Sequence, residues 1–113
     1  MRSVTPRMVV SDPAGAVEFL REVFDAEGEV AAGRPTEVVI GDSVIMISGI
    51  GEREAFPAFL YVLVPDADAA FARALAAGAT AVESPLDTPY GDRRAMVRDP
   101  FGNVFQIAHR LGA

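Results

Sequence analysis

Few side chains in this sequence could do covalent or acid–base chemistry. His109 is the only histidine and cysteine is absent. Disulfides, thiolate nucleophiles and thiolate metal sites are therefore excluded. The chain has no Ser–His–Asp spacing, no phosphate-cradling glycine loop and no paired catalytic carboxylates. Asp12 stands before Pro13, and Asp66 follows Pro65, where each is expected to cap a helix rather than react. What remains is binding chemistry. Arg7 can pair with an acid or grip an anionic group. Gln106 can be satisfied by neighbouring backbone or touch a ligand. Met46, Phe59 and Tyr61 offer apolar and aromatic surface, and Tyr90-Gly91-Asp92-Arg93 reads as a loop that Asp92 and Arg93 hydrogen-bond closed.

Composition bounds the partners. The 113 residues suit one compact domain with a real core, and half of them are apolar. The net charge of −6 argues against a nucleic-acid partner, since phosphates would be repelled. It favours a cationic or neutral small ligand, or serves solubility alone. No apolar run approaches the roughly 18 residues that span a bilayer, so no membrane partner is expected. Residues 1–4 lack the apolar core of a signal peptide, and the expected location is cytoplasmic.

The elements that must position these residues come in two similar sets. Residues 4–10 are mostly apolar and β-compatible. A helix opens at Asp12-Pro13, with Val17, Leu20 and Phe24 at helical spacing, and Gly28 helps end it. Residues 29–32, 36–40 and 43–48 are candidate strands, the last two joined by a tight Gly41-Asp42 turn. The second set repeats the order. Residues 58–64 form a strand, and Pro65-Asp66 starts a helix whose apolar face is Phe71, Ala74 and Leu75. Gly78 closes it. Residues 81–83, 93–99 and 103–110 complete three more strands. Asp99-Pro100-Phe101-Gly102-Asn103 forms the final turn. Pro100 fixes one corner, and Gly102 can take positive φ. Residues 49–57, rich in Gly and charge, form an exposed linker between modules at about 1–48 and 58–113.

The Asp-Pro-x-Gly-Asn turn followed by the apolar strand Val104-Phe105-Gln106-Ile107-Ala108 resembles the closing hairpin of the vicinal-oxygen-chelate superfamily. That superfamily includes glyoxalase I, extradiol dioxygenases and bleomycin-resistance proteins. The doubled strand–helix–three-strand pattern extends the resemblance over nearly the whole chain. It implies an α+β fold: two βαβββ units forming a curved, cleft-bearing, eight-stranded mixed sheet with two helices packed outside.

Strand parity then assigns faces. With Ile45, Ile47, Phe105 and Ile107 toward the helices, the cleft receives Thr5, Arg7, Met46, Phe59, Tyr61 and Gln106. Tyr90 lies at its mouth, and His109 points away as a surface or strand-end residue, with ligation or base catalysis as its alternatives. The resemblance places the family's metal ligands at Thr5, Met46, Phe59 and Gln106. None is a His or carboxylate, so no metal and no other cofactor is expected. The reading is a homodimer that sequesters an apolar or aromatic drug or metabolite, as in the bleomycin-resistance branch. The opposing reading is a metal-dependent lyase, isomerase or dioxygenase with atypical ligands.

Overall fold

The computed structural model describes residues 2–51 and 54–112; Glu52 and Arg53 of the linker lie outside the described residues. The first half runs β1 (Arg7–Val10), α1 (Pro13–Phe24), β2 (Thr36–Ile40) and β3 (Ser43–Gly49). The second runs β4 (Phe59–Leu63), α2 (Ala67–Ala76), β5 (Thr80–Asp87), β6 (Asp92–Arg98) and β7 (Val104–Arg110). The fold is α+β.

Both helices begin as the sequence requires. Asp12 accepts the Gly15 N–H at 3.0 Å, and Pro13 occupies the first turn, where a missing N–H costs nothing. Asp66 accepts the Ala69 N–H at 3.2 Å. Val17, Leu20 and Phe24 are buried, while Glu18, Arg21 and Glu22 face solvent. The end of α1 differs from expectation. Asp25, at φ 56°, makes the left-handed stop. Gly28 serves a different need: at φ 146°, a Cβ there would lie 2.7 Å from the Glu37 carbonyl oxygen of β2. On α2 the contact stripe is Ala67, Ala70 and Ala74, and Leu75 is exposed. Small side chains on that stripe let the helix lie close to its neighbours.

Among the described residues there are seven strands in two separate, uncurled sheets, not one curved sheet of eight. The orders are β1-β3-β2 and β4-β7-β6-β5. In each, the first strand runs parallel to the last strand of its half, and the other pairings are antiparallel. The missing strand is residues 29–32, beside β2. Only Glu27 bridges Val39 there, with N···O distances of 2.7 and 2.9 Å. The Ala31 N–H donates to Thr36 Oγ1 instead of a strand, and Gly33 (φ 74°) with Pro35 turns the chain away. The linker is not merely an exposed connection. Phe56 exchanges backbone hydrogen bonds with Val9 at 2.9 and 3.0 Å, extending the free edge of β1.

A shared core positions everything else. Met8, Val10, Leu20, Ile45 and Ile47 of the first half cluster with Val97, Phe105 and Ile107 of the second. The Phe105 ring on β7 lies 5.8 Å from Phe19 and 5.3 Å from Phe24, both on α1. Arg73 of α2 donates to the Val23 carbonyl of α1 at 2.9 Å. The two helices thus touch each other as well as their sheets. Asp99 and Asn103 close the last turn: the Phe101 and Asn103 amides donate to Asp99 Oδ1, and Asn103 Nδ2 donates to Oδ2 at 2.7 Å. Asn103 Oδ1 in turn accepts the Ala58 N–H at 2.8 Å, just before β4. Burial pushes the Asp99 carboxyl above its ordinary range, against these hydrogen bonds.

Candidate functional site

Packing one face of each sheet against the helices leaves the other face free. Ile45, Ile47, Phe105 and Ile107 are buried in the core, so the residues alternating with them turn outward. On the first sheet Arg7 pairs in register with Met46, and Glu37 flanks Met46 on the other side. On the second, Tyr61 and Met96 flank Gln106 from either side. Thr5 precedes β1 and is half-buried, as are Met46 and Gln106. Phe59 is 66% exposed, Tyr61 42% and Tyr90 58%.

These residues form two groups. Thr5, Arg7 and Met46 belong to the first half, and Phe59, Tyr61, Tyr90 and Gln106 to the second. Among the described residues, no strand of one sheet hydrogen-bonds to a strand of the other. A cavity of about 270 Å³ opens where the halves meet, bordered by Pro6, Ile40, Ile45, Leu60, Tyr61 and Leu63.

The second group is wired into a hydrogen-bonded chain. Arg94 Nη1 donates to the Tyr90 hydroxyl at 3.0 Å, and the two phenol oxygens lie 3.3 Å apart. Tyr61 donates to Asp92 Oδ2 at 2.6 Å. Asp92, only 1% exposed, also accepts from Arg110 at 2.8 Å. Glu83 accepts both Nε and Nη2 of Arg94, at 3.0 and 2.7 Å. The electrostatics follow. The Tyr61 hydrogen bond, then the Arg110 guanidinium, hold the Asp92 carboxyl below its ordinary range. Loss of water around the Tyr61 hydroxyl, then its bond to Asp92, push that phenol well above its ordinary value. Contact with Tyr61 first, and Arg94 second, draw Tyr90 the other way. Two like side chains are thereby made unlike acids. Asp92, Arg94, Arg110 and Glu83 were not singled out as site residues from the sequence. The available signal was parity on β6, where Asp92, Arg94 and Met96 share the outward face.

The remaining candidates resolve individually. Arg7 pairs with no acid among the described residues; its Nη2 donates to Ser48 Oγ at 3.0 Å. The half-buried Gln106 amide makes no hydrogen bond among the described residues. Thr88 and Asp92 do close the 88–92 turn, through Oγ1-to-carbonyl and amide-to-Oγ1 bonds of 2.8 and 3.0 Å. Arg93 instead turns toward α2 and pairs with Asp68 and Asp87. His109 caps α2: its Nδ1 accepts the Ala67 N–H at 2.7 Å, which leaves only Nε2 to carry a proton.

A divalent metal does not fit the four positions that the resemblance assigns to ligands. Met46 offers a thioether and Phe59 no donor, which leaves only the neutral oxygens of Thr5, before β1, and Gln106, on β7. Among the described residues no three His, Asp or Glu side chains gather.

Residues 3–107 match the family model described as Glyoxalase/Bleomycin resistance protein/Dioxygenase superfamily. The chain is 34% identical over 123 aligned positions to the protein Mb0911c of Mycobacterium bovis, covering 93% of this chain and 81% of that one. It is similar in structure to TioX from Micromonospora sp. ML1, with a TM-score of 0.80, 28% identity, and coverage of 98% of this chain and 100% of that one. A glyoxalase/bleomycin resistance protein/dioxygenase family enzyme from Burkholderia phytofirmans shares the fold at TM-score 0.80 and 22% identity, over 93% and 95% of the two chains. Two βα-initiated halves with parallel first and last strands, and a family match over almost every residue, lead to one conclusion: the chain belongs to the glyoxalase/bleomycin resistance protein/dioxygenase superfamily.

Proposed function

We propose that this protein binds and sequesters an apolar or aromatic small molecule, a drug or metabolite, on the free faces of its sheets and without a metal. The observation that carries this reading is the outward row Phe59, Tyr61 and Leu63 beside the uncommitted Gln106 amide. Three large apolar side chains exposed in a row on one strand face support a contact site there. The Tyr90–Tyr61–Asp92 chain supports it by fixing the orientation of one aromatic wall before any ligand arrives, which lowers the ordering cost of binding. Thr5, Arg7 and Met46 supply a second wall. In a homodimer, the arrangement proposed here, the free faces of neighbouring subunits adjoin, and residues 1–113 act as one domain of two βαβββ modules. Drug sequestration in the cytoplasm, as a resistance function, is the proposed role.

The test is a thermal-shift screen of aromatic compounds followed by affinity and stability measurements on Phe59→Ala, Tyr61→Ala and Met46→Ala. Truncating an aromatic wall is expected to cost about 5- to 150-fold in affinity. Phe59→Ala should hardly move the unfolding midpoint, because the ring is mostly in solvent. A large stability loss with unchanged affinity would refute the assignment of faces. Elemental analysis separates the metalloenzyme reading: about one zinc, nickel, iron or manganese per chain, lost in Gln106→Ala, would replace sequestration by metal chemistry. Light scattering giving a mass near 12.0 kDa would refute the dimer.

A further inference from the structure

A second cavity, of about 380 Å³, lies at the other end of the first sheet. Its polar lining is one-sided. Arg7, Arg34, Thr36 and Ser48 border it together with apolar residues, and among the described residues no carboxylate does. This is an uneven choice in a chain with 16 acidic and 10 basic residues. Elsewhere Arg21, Arg93, Arg94 and Arg110 each lie within 4 Å of a carboxylate. Among the described residues, Arg7 and Arg34 do not, and neither do Arg2, Arg73 and Arg98, none of which borders the cavity.

The two hydroxyls point to the same chemistry. Thr36 is 2% exposed, yet it borders the cavity. Its oxygen takes the Ala31 N–H at 2.9 Å, and its own proton reaches no acceptor among the described residues. Ser48 Oγ likewise accepts from Arg7 at 3.0 Å and keeps its proton. Two arginines and two hydroxyl-bearing residues therefore border one cavity, and neither hydroxyl proton has an acceptor among the described residues. Arg34 is held there by the Gly33–Pro35 turn that replaces the missing strand, so the irregular segment has a positional consequence.

We propose that this cavity binds the oxyanion group of a small molecule, a carboxylate or a phosphate. Guanidinium forks match the geometry of both groups and hold them through charge-assisted hydrogen bonds. The volume admits more than a bare ion. Because Arg7 also belongs to the ligand face proposed above, this inference deepens that reading and rests on it only for the body of the ligand; the anion site is tested alone.

The probes are inorganic phosphate and benzoate, titrated at constant ionic strength against protein carrying ¹⁵N-labelled arginine. Saturable shifts of the Arg7 and Arg34 Nε–H signals are expected, with affinity falling about tenfold or more in Arg7→Gln and in Arg34→Gln. Arg34→Lys should restore part of it. Phosphate binding alone identifies a phosphate site, benzoate alone a carboxylate site, and both a general oxyanion site. No saturable shift with either probe, or unchanged binding in the double glutamine variant, overturns the proposal. An uncharged aromatic hit is titrated in parallel. Its binding with no anion binding refutes the anion site alone, and the reverse result refutes the aromatic face alone.

Discussion

Phe105 is the strongest point at which to test how the halves depend on each other. It is fully buried on β7 and packs on Phe19 at 5.8 Å with the rings 24° apart, and on Phe24 at 5.3 Å. Phe105→Ala would cost about 3–5 kcal/mol through lost burial and a cavity. That is a large part of the roughly 5–15 kcal/mol that holds a domain together. Phe105→Leu is the better perturbation. It keeps an apolar side chain and loses ring packing, for an expected cost of about 1–2 kcal/mol. Each kcal/mol should lower the melting point by roughly 4–8 °C in a small domain. Paired with Phe19→Leu in a double-mutant cycle, the coupling should be about 0.5–1.5 kcal/mol. The protein supplies a convenient second probe: it has no tryptophan, and both tyrosines lie in the second half. Tyrosine fluorescence therefore reports on that half, while far-ultraviolet circular dichroism reports on both. Phe19→Leu, made in the first half, should move both urea midpoints equally. The reasoning is refuted if Phe19→Leu leaves the tyrosine midpoint in place, or if the two substitutions add within about 0.3 kcal/mol.

Other outcomes follow from the polar chain on the second sheet. Ultraviolet titration of the two tyrosines should show two steps, Tyr90 ionising below and Tyr61 above the usual value of about 10. Tyr90→Phe should remove the early step and Tyr61→Phe the late one; a single step near 10 in the wild type would contradict the hydrogen-bond pattern. Acid should weaken the fold. Asp92 and Asp68 are held low by their hydrogen-bond partners Tyr61 and Arg93, so their contribution is present above about pH 4 and is lost as pH falls through their folded values. Asp99 is raised by burial and works in the opposite sense, its contribution fading as pH rises through its folded value. Urea midpoints across the acid range should accordingly fall less steeply in Asp92→Asn and more steeply in Asp99→Asn.

Local chemistry made much of this fold legible. Asp12, Pro13 and Asp66 announced two helix starts, Gly102 the last turn, and the alternation along 44–48 and 104–108 the buried faces. Those signals are properties of a few adjacent residues. The eighth strand was misjudged because residues 29–32 are β-compatible in themselves; what denies them a ladder is Thr36 taking the Ala31 amide, a contact set by how the chain turns at Gly33 and Pro35. Leu75 followed the helical period but lost its place to the alanines, since only small residues fit where α2 approaches its neighbours. The site was harder. Met46, Phe59, Tyr61 and Gln106 could be assigned to outward faces by parity. That Tyr61, Tyr90, Asp92 and Arg94 would share one chain of protons depends on the register of β4, β7 and β6, and no single stretch of sequence encodes that register.

The Asp99–Asn103 turn carries a consequence for the order in which the chain assembles. Its internal bonds join residues four apart, so the β6–β7 hairpin can close early, at the small entropic cost of a short loop. Once closed, it holds one acceptor still waiting: the Asn103 side-chain oxygen, which will be buried and which only the Ala58 amide satisfies. Ala58 arrives from 45 positions upstream. A strand docked one residue out of step so that Pro57 took the place of Ala58 would leave that oxygen without a donor in a dry site, because proline has no N–H, at a cost of about 1–3 kcal/mol, and would turn Leu60 and Val62 outward as well. The turn therefore disfavours that misalignment of β4, and the ladder that places Tyr61 beside Gln106 owes part of its register to a single amide.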